Sequence, residues 1–97
     1  MESIIRQIVD RCYCCGRYHP TDTHHVFGGS NRKASDQYGL TIRICRECHR
    51  AIHEPRNEDE RRMGVNLKRC IQTMAMRHYG WSKEDWLKHF TKSYTED

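Results

Sequence analysis

The chain has 97 residues, 36% hydrophobic and 31% charged, with 17 basic against 13 acidic side chains and a net charge of +4. That length suits one small domain, and so polar a chain calls for a staple beyond its apolar core. The opening "MESIIRQIVDR" is broken by Arg6 and Asp10, so neither a secretory leader nor a span of about 20 apolar residues is expected; in the cytoplasm, closely spaced cysteines read as metal ligands, not disulfides.

"SIIRQIVDRCYC", with Ile4, Ile5 and Ile8, reads as a short helix or a strand entering a zinc knuckle. "CCGRYHPTDTHHVFGGSNRKASDQYG" is rich in Gly, Ser, Asn and Asp and reads as turns and irregular chain, Gly28 and Gly29 making one of the turns. "GLTIRIC" sets Leu40, Ile42 and Ile44 against Thr41 and Arg43, the alternation of a half-buried strand. "CRECHRAIHE" switches to helical spacing, with Cys45, Cys48 and Ile52 on one side and His49 and His53 on the next, until Pro55 ends it. Asn57 and Glu60 then open an amphipathic helix over about 58–79, with Met63, Leu67, Cys70, Ile71, Met74 and His78 on its apolar side. Gly64 weakens that helix and Gly80 stops it. Ser82 and Asp85 start a last helix whose inner face is Trp86, Leu87 and Phe90. The expected fold class is α+β, with a metal-stapled unit over 1–54 and a helical extension over 55–97 packed on the same domain.

Two constellations carry chemistry. Cys12-x-x-Cys15 and Cys45-x-x-Cys48 each bring two thiolates to one edge of a tetrahedron, and together they complete a structural zinc site with no open position. Gly16 supplies the turn away from the metal, while Cys14 and Cys70 remain ordinary thiols. His49 and His53, four apart on a helix, leave the same face and form a bidentate claw for a divalent ion. The sulfur site would hold that helix near "THHVFGG", so that His24 or His25 supplies a third ligand; three ligands with open positions describe a catalytic site. A single merged site with mixed ligands is the alternative.

The order C-x-x-C, HH, C-x-x-C-H-x-x-x-H over residues 12–53 resembles the HNH endonucleases, whose catalytic unit is a ββα-metal fold gripping one ion, and in particular small phage and prophage members braced by a Cys₄ zinc. The resemblance implies that His24, His49 and His53 hold a catalytic divalent ion (Mg²⁺, Mn²⁺, Ni²⁺ or Zn²⁺), that Cys12, Cys15, Cys45 and Cys48 hold structural Zn²⁺, and that His25 is the general base. The division is physically sensible, since a ring bound to a metal cannot accept a proton while its neighbour on the other face of a strand can. It implies hydrolysis of DNA phosphodiesters to 5′-phosphate and 3′-hydroxyl ends. The middle Asn of the pattern is missing where "YGLTIR" stands; Asn31 lies farther upstream, and Asp36 or a backbone carbonyl is expected to brace the loop.

DNA is therefore the expected partner. Residues 1–53 carry 8 basic against 5 acidic side chains and residues 54–97 carry 9 against 8, so the basic excess lies with the Cys and His pairs. Arg32, Lys33, Arg46 and Arg50 flank the expected site as phosphate contacts, and Arg61, Arg62, Lys68 and Arg69 offer a second basic face. The rival readings are a non-catalytic zinc-stabilised DNA-binding or adaptor module, and a nuclease subunit active only within a larger phage packaging or recombination complex. A homodimer and a cytoplasmic, phage- or prophage-encoded location in a bacterial host complete the expectation.

Overall fold

The computed structural model describes residues 2–8 and 10–95. Its sheet has two antiparallel strands, β1 (Thr21–His25) and β2 (Thr41–Cys45), in a register that sets Thr21 opposite Cys45 and His25 opposite Thr41. A 3₁₀ turn (Gly29–Asn31) and α1 (Arg32–Gln37) link the strands. Helix α2 (Arg46–His53) follows β2 without a break, then α3 (Glu58–Tyr79) and α4 (Lys83–His89). The result is a small α+β chain.

Several elements form as their residues dictate. Ile42 and Ile44 of β2 are buried while Arg43 is exposed, and the Arg43 guanidinium is fastened across the ladder to Thr21 and Thr23. Asn57 caps α3 by accepting from the Glu60 amide, and Gly80 ends it in the left-handed region at φ 67°. Ser82 and Asp85 form a reciprocal capping box on α4. Gly64 leaves α3 continuous.

Other expectations are corrected. The segment 14–39 is not irregular throughout, since it contains β1 and α1. Residues 2–8 form neither helix nor strand; one isolated bridge joins Arg11 to Tyr18. The buried stripe of α3 is Leu67, Ile71, Gln72 and Ala75, whereas Met74 and Cys70 face solvent. Leu87 is likewise exposed, so Trp86 and Phe90 alone form the inner face of α4, stacked on each other at 4.0 Å.

One core serves both halves of the chain. Val26, Phe27, Leu40, Ile42 and Ile44 pack with Leu67, Ile71, Ala75, Trp86 and Phe90 in a single apolar cluster, with Phe27 edge-on to Trp86 at 5.0 Å. At about 25 cal/mol per Å² of apolar surface removed from water, this burial is what fixes α3 and α4 against the back of the hairpin. Behind α4 the chain doubles back along α3. Fully buried Gln72 accepts from the Tyr94 amide at 2.6 Å and donates to Ser93 Oγ at 2.9 Å. The same tail ties down the loop between the strands, because Asn31 and Thr91 exchange two hydrogen bonds, of 3.0 and 3.1 Å.

Candidate metal centre and adjoining groove

Cys12, Cys15, Cys45 and Cys48 converge, their sulfurs lying within 4.8 Å of one another. Cys12 enters from the turn closed by Gly16 N–H donating to the Cys12 carbonyl, with Gly16 at φ 74°. Cys45 ends β2 and Cys48 lies in the first turn of α2. Cys15 Sγ is 3.9 Å from Cys45 Sγ, close to the edge of about 3.8 Å for a tetrahedron with Zn–S arms of about 2.3 Å. Burial pushes the Cys12 thiol up, but the amides of Cys15, Cys45 and Cys14 outweigh it and bring it down to about 6. Burial and neighbouring thiols instead push Cys48 up. A site that stabilises one thiolate and crowds the others around it suits a cation at its centre, and four close cysteines are a donor set for zinc. Cys14 stays outside the cluster; its thiol is driven up to about 12 by burial and by the adjacent sulfurs, and it and Cys70 are free.

The second cluster draws on two elements. His24 leaves β1 toward α2, and its ring centroid lies 5.2 Å from that of His49 and 5.3 Å from that of His53. His49 and His53 are one helical turn apart, with centroids 4.6 Å apart. One ring nitrogen from each of the three lies within 4.8 Å of the others. His24 is only 4% exposed, and its Nε2 is buried without a hydrogen-bond partner among the described residues. Burial, then the His49 and His53 rings, lowers its pKa from 6.5 to about 4, so the imidazole is neutral at pH 7 with a lone pair to give. An orphaned buried acceptor facing two more imidazoles fits a divalent ion. The sulfur and nitrogen clusters are separate, not one mixed set.

His25 takes the other side of β1. Its Nε2 stands 3.6 Å from Asp36 Oδ1, and with Gly29, Ser30, Arg32, Lys33 and Asp36 it lines an open groove of about 600 Å³. Gly29, at φ 57°, makes the turn there. Arg32 and Lys33 are exposed at the start of α1. Arg46 is exposed but lines a different depression, with His19, Pro20, Cys45 and Glu47. Arg50 departs from expectation: its guanidinium is engaged by Glu47 at 2.8 Å, by Glu60 at 2.7 Å and by the Glu54 carbonyl, so it clamps α2 to α3 instead of standing free for phosphate. The second basic face is thinned too, as Arg61 pairs with Glu58, Lys68 lies over the Tyr94 ring and Arg69 donates to the Tyr94 carbonyl.

The loop brace is Ser35, which neither composition nor spacing marked. Fully buried, its Oγ accepts from Phe27 N–H at 3.1 Å and donates to the Phe27 carbonyl at 2.8 Å. It thereby fixes the chain two residues beyond His25. Asp36, one position on, faces His25 instead of bracing the loop.

These features define a small α+β chain with a four-cysteine cluster and a three-histidine cluster sharing one short helix. It belongs to the family described as "Protein of unknown function (DUF968)", whose model matches residues 5–80. No curated protein and no solved structure matches the chain. Among the described residues, no helix is long and apolar enough to cross a membrane.

Proposed function

We propose that this chain is a metal-dependent DNA endonuclease built on a ββα-metal unit of the HNH kind, acting in the cytoplasm of a phage-carrying bacterial host. The observation that carries the reading is the division of labour at "HH": His24 turns inward to His49 and His53, and His25 turns outward to a groove bearing Arg32 and Lys33. In this reading His24, His49 and His53 would hold a divalent ion, which when bound would supply positive charge against that growing on the phosphate. Everything else falls to the chain. Arg32 and Lys33 hold phosphates beside the scissile one. Asp36 Oδ1 faces the Nε2 edge of the His25 ring at 3.6 Å, and in this reading Nδ1 is the nitrogen that takes the proton from the attacking water. Cys12, Cys15, Cys45 and Cys48 would hold a zinc ion and so tie the end of β2 to the start of α2, the helix that brings His49 and His53 up to His24.

The test is nicking of supercoiled plasmid with Mg²⁺, Mn²⁺, Ni²⁺ or Zn²⁺ by wild type and His25→Ala. The expected result is metal-dependent cutting by wild type and a loss of at least about 100-fold in the variant, with melting temperature and ion content unchanged. Equal cutting by the two proteins refutes the role of His25. An ion-loaded wild type that cuts nothing refutes the nuclease reading for the isolated chain.

A further inference from the structure

Asp22 and His24 are two apart on β1 and leave the same face of the strand. His49 comes up from α2 toward both: its Nδ1 stands 3.6 Å from Asp22 Oδ2, and its ring packs edge-on against His24. Asp22 is not one of the residues whose donor atoms converge in the three-histidine cluster. Its carboxylate thus addresses one edge of the His49 ring. A neutral imidazole protonates one nitrogen and offers the lone pair of the other, so whatever takes the proton chooses the donor.

Resting on the three-histidine reading, we propose that Asp22 is a positioning residue for the metal site. Its carboxylate, facing Nδ1 of His49 at 3.6 Å, favours the tautomer with the proton on that nitrogen and so presents Nε2 to a divalent ion. Without that partner the ring divides itself between two tautomers and two orientations, only part of which offer a lone pair to the cluster. The carboxylate also polarises the ring and makes Nε2 the better donor. Among the described residues, neither His24 nor His53 has a carboxylate within ion-pair distance, so His49 is the arm set in advance. His53, exposed at the end of α2, adapts to it.

The experiment is a calorimetric titration of the zinc-loaded full chain with Ni²⁺, for wild type, Asp22→Ala and Asp22→Asn. Zinc content and melting temperature are followed in parallel. Loss of an outer partner of this kind weakens metal binding by about 10–100-fold, and that loss is expected for Asp22→Ala with zinc content unchanged. Asp22→Asn, nearly isosteric and still offering an oxygen to the Nδ1 proton, is expected to lose less. Wild-type affinity in Asp22→Ala overturns the proposal, and so does an equal loss in both variants, the mark of a carboxylate bound directly to the ion. A wild type that takes up no Ni²⁺ beyond the cysteines overturns the three-histidine reading itself, an outcome distinct from the other two.

Discussion

Replacing Ser35 by alanine removes a single oxygen, yet it strips partners from two buried backbone groups. Phe27 N–H and C=O both bond to Ser35 Oγ, at 3.1 and 2.8 Å, and neither has another partner among the described hydrogen bonds. The site is sealed, with Ser35 at 0% exposure and Phe27 at 1%, so water does not replace the hydroxyl without opening the core. An unsatisfied buried backbone group costs about 1–3 kcal/mol, which puts the pair at about 2–6 kcal/mol. Against a total stability of about 5–15 kcal/mol this is a large share; at about 4–8 °C per kcal/mol it lowers the melting temperature by at least about 8 °C. Urea midpoints at fixed zinc concentration measure it, with exposed Ser30→Ala as a control expected to stay within about 0.5 kcal/mol of wild type. Hydrogen exchange localises it, since the Phe27 amide should lose protection ahead of the β2 amides. A loss below about 0.5 kcal/mol with Phe27 still protected would show that the loop is braced elsewhere.

Two further perturbations probe the same frame. Gly39 sits at φ 70°, and a Cβ there would overlap the Glu2 carbonyl oxygen and lie 3.1 Å from the Ile4 nitrogen; Gly39→Ala is expected to cost about 3 kcal/mol or more, read from soluble yield and urea midpoint, and a near-neutral effect would mean that residues 2–4 do not cross this turn. The His24 imidazole gives stability a pH slope: its pKa is 6.5 unfolded and about 4 folded, so between those values the unfolded chain binds more protons. Stability conferred by the neutral ring is then complete above pH 6.5 and falls as pH drops toward 4, by at most about 3 kcal/mol. Urea midpoints at pH 7 and 4.5 should therefore diverge more in wild type than in His24→Asn, and parallel slopes would contradict the burial of that ring.

How much of this was legible depended on whether a residue's partner lies nearby in the chain. The α3 boundaries, the Asn57 and Ser82 caps and strand β2 could be read because caps and periodicities are local signals. So could the close spacing of Cys12 with Cys15, Cys45 with Cys48 and His49 with His53, each set by one turn of chain; the choice of His24 over His25 came only with the family resemblance. Residue pattern alone hid strand β1, Thr-Asp-Thr-His-His, because its one buried side chain is a histidine, and a strand at His24 and His25 came only with the family resemblance; α1 was hidden because its one buried residue is Ser35. Gln72 could not be recognised as interior, since its partners arrive from a tail more than twenty residues away. Arg50 was misread for the same reason: a guanidinium beside histidines suggests phosphate until Glu60, ten residues on, is seen to occupy it.

Helix α2 carries Cys48 in its first turn and both His49 and His53, yet it has only eight residues. An isolated helix of that length does not persist in water. The spacing of the histidine pair therefore depends on what packs on the segment: buried Cys48 and Ala51 and the Arg50–Glu60 bond to α3 hold the turn that separates His49 from His53. A zinc ion held by the four thiolates would tighten the same turns, so the sulfur cluster would set the spacing of the imidazoles beside it.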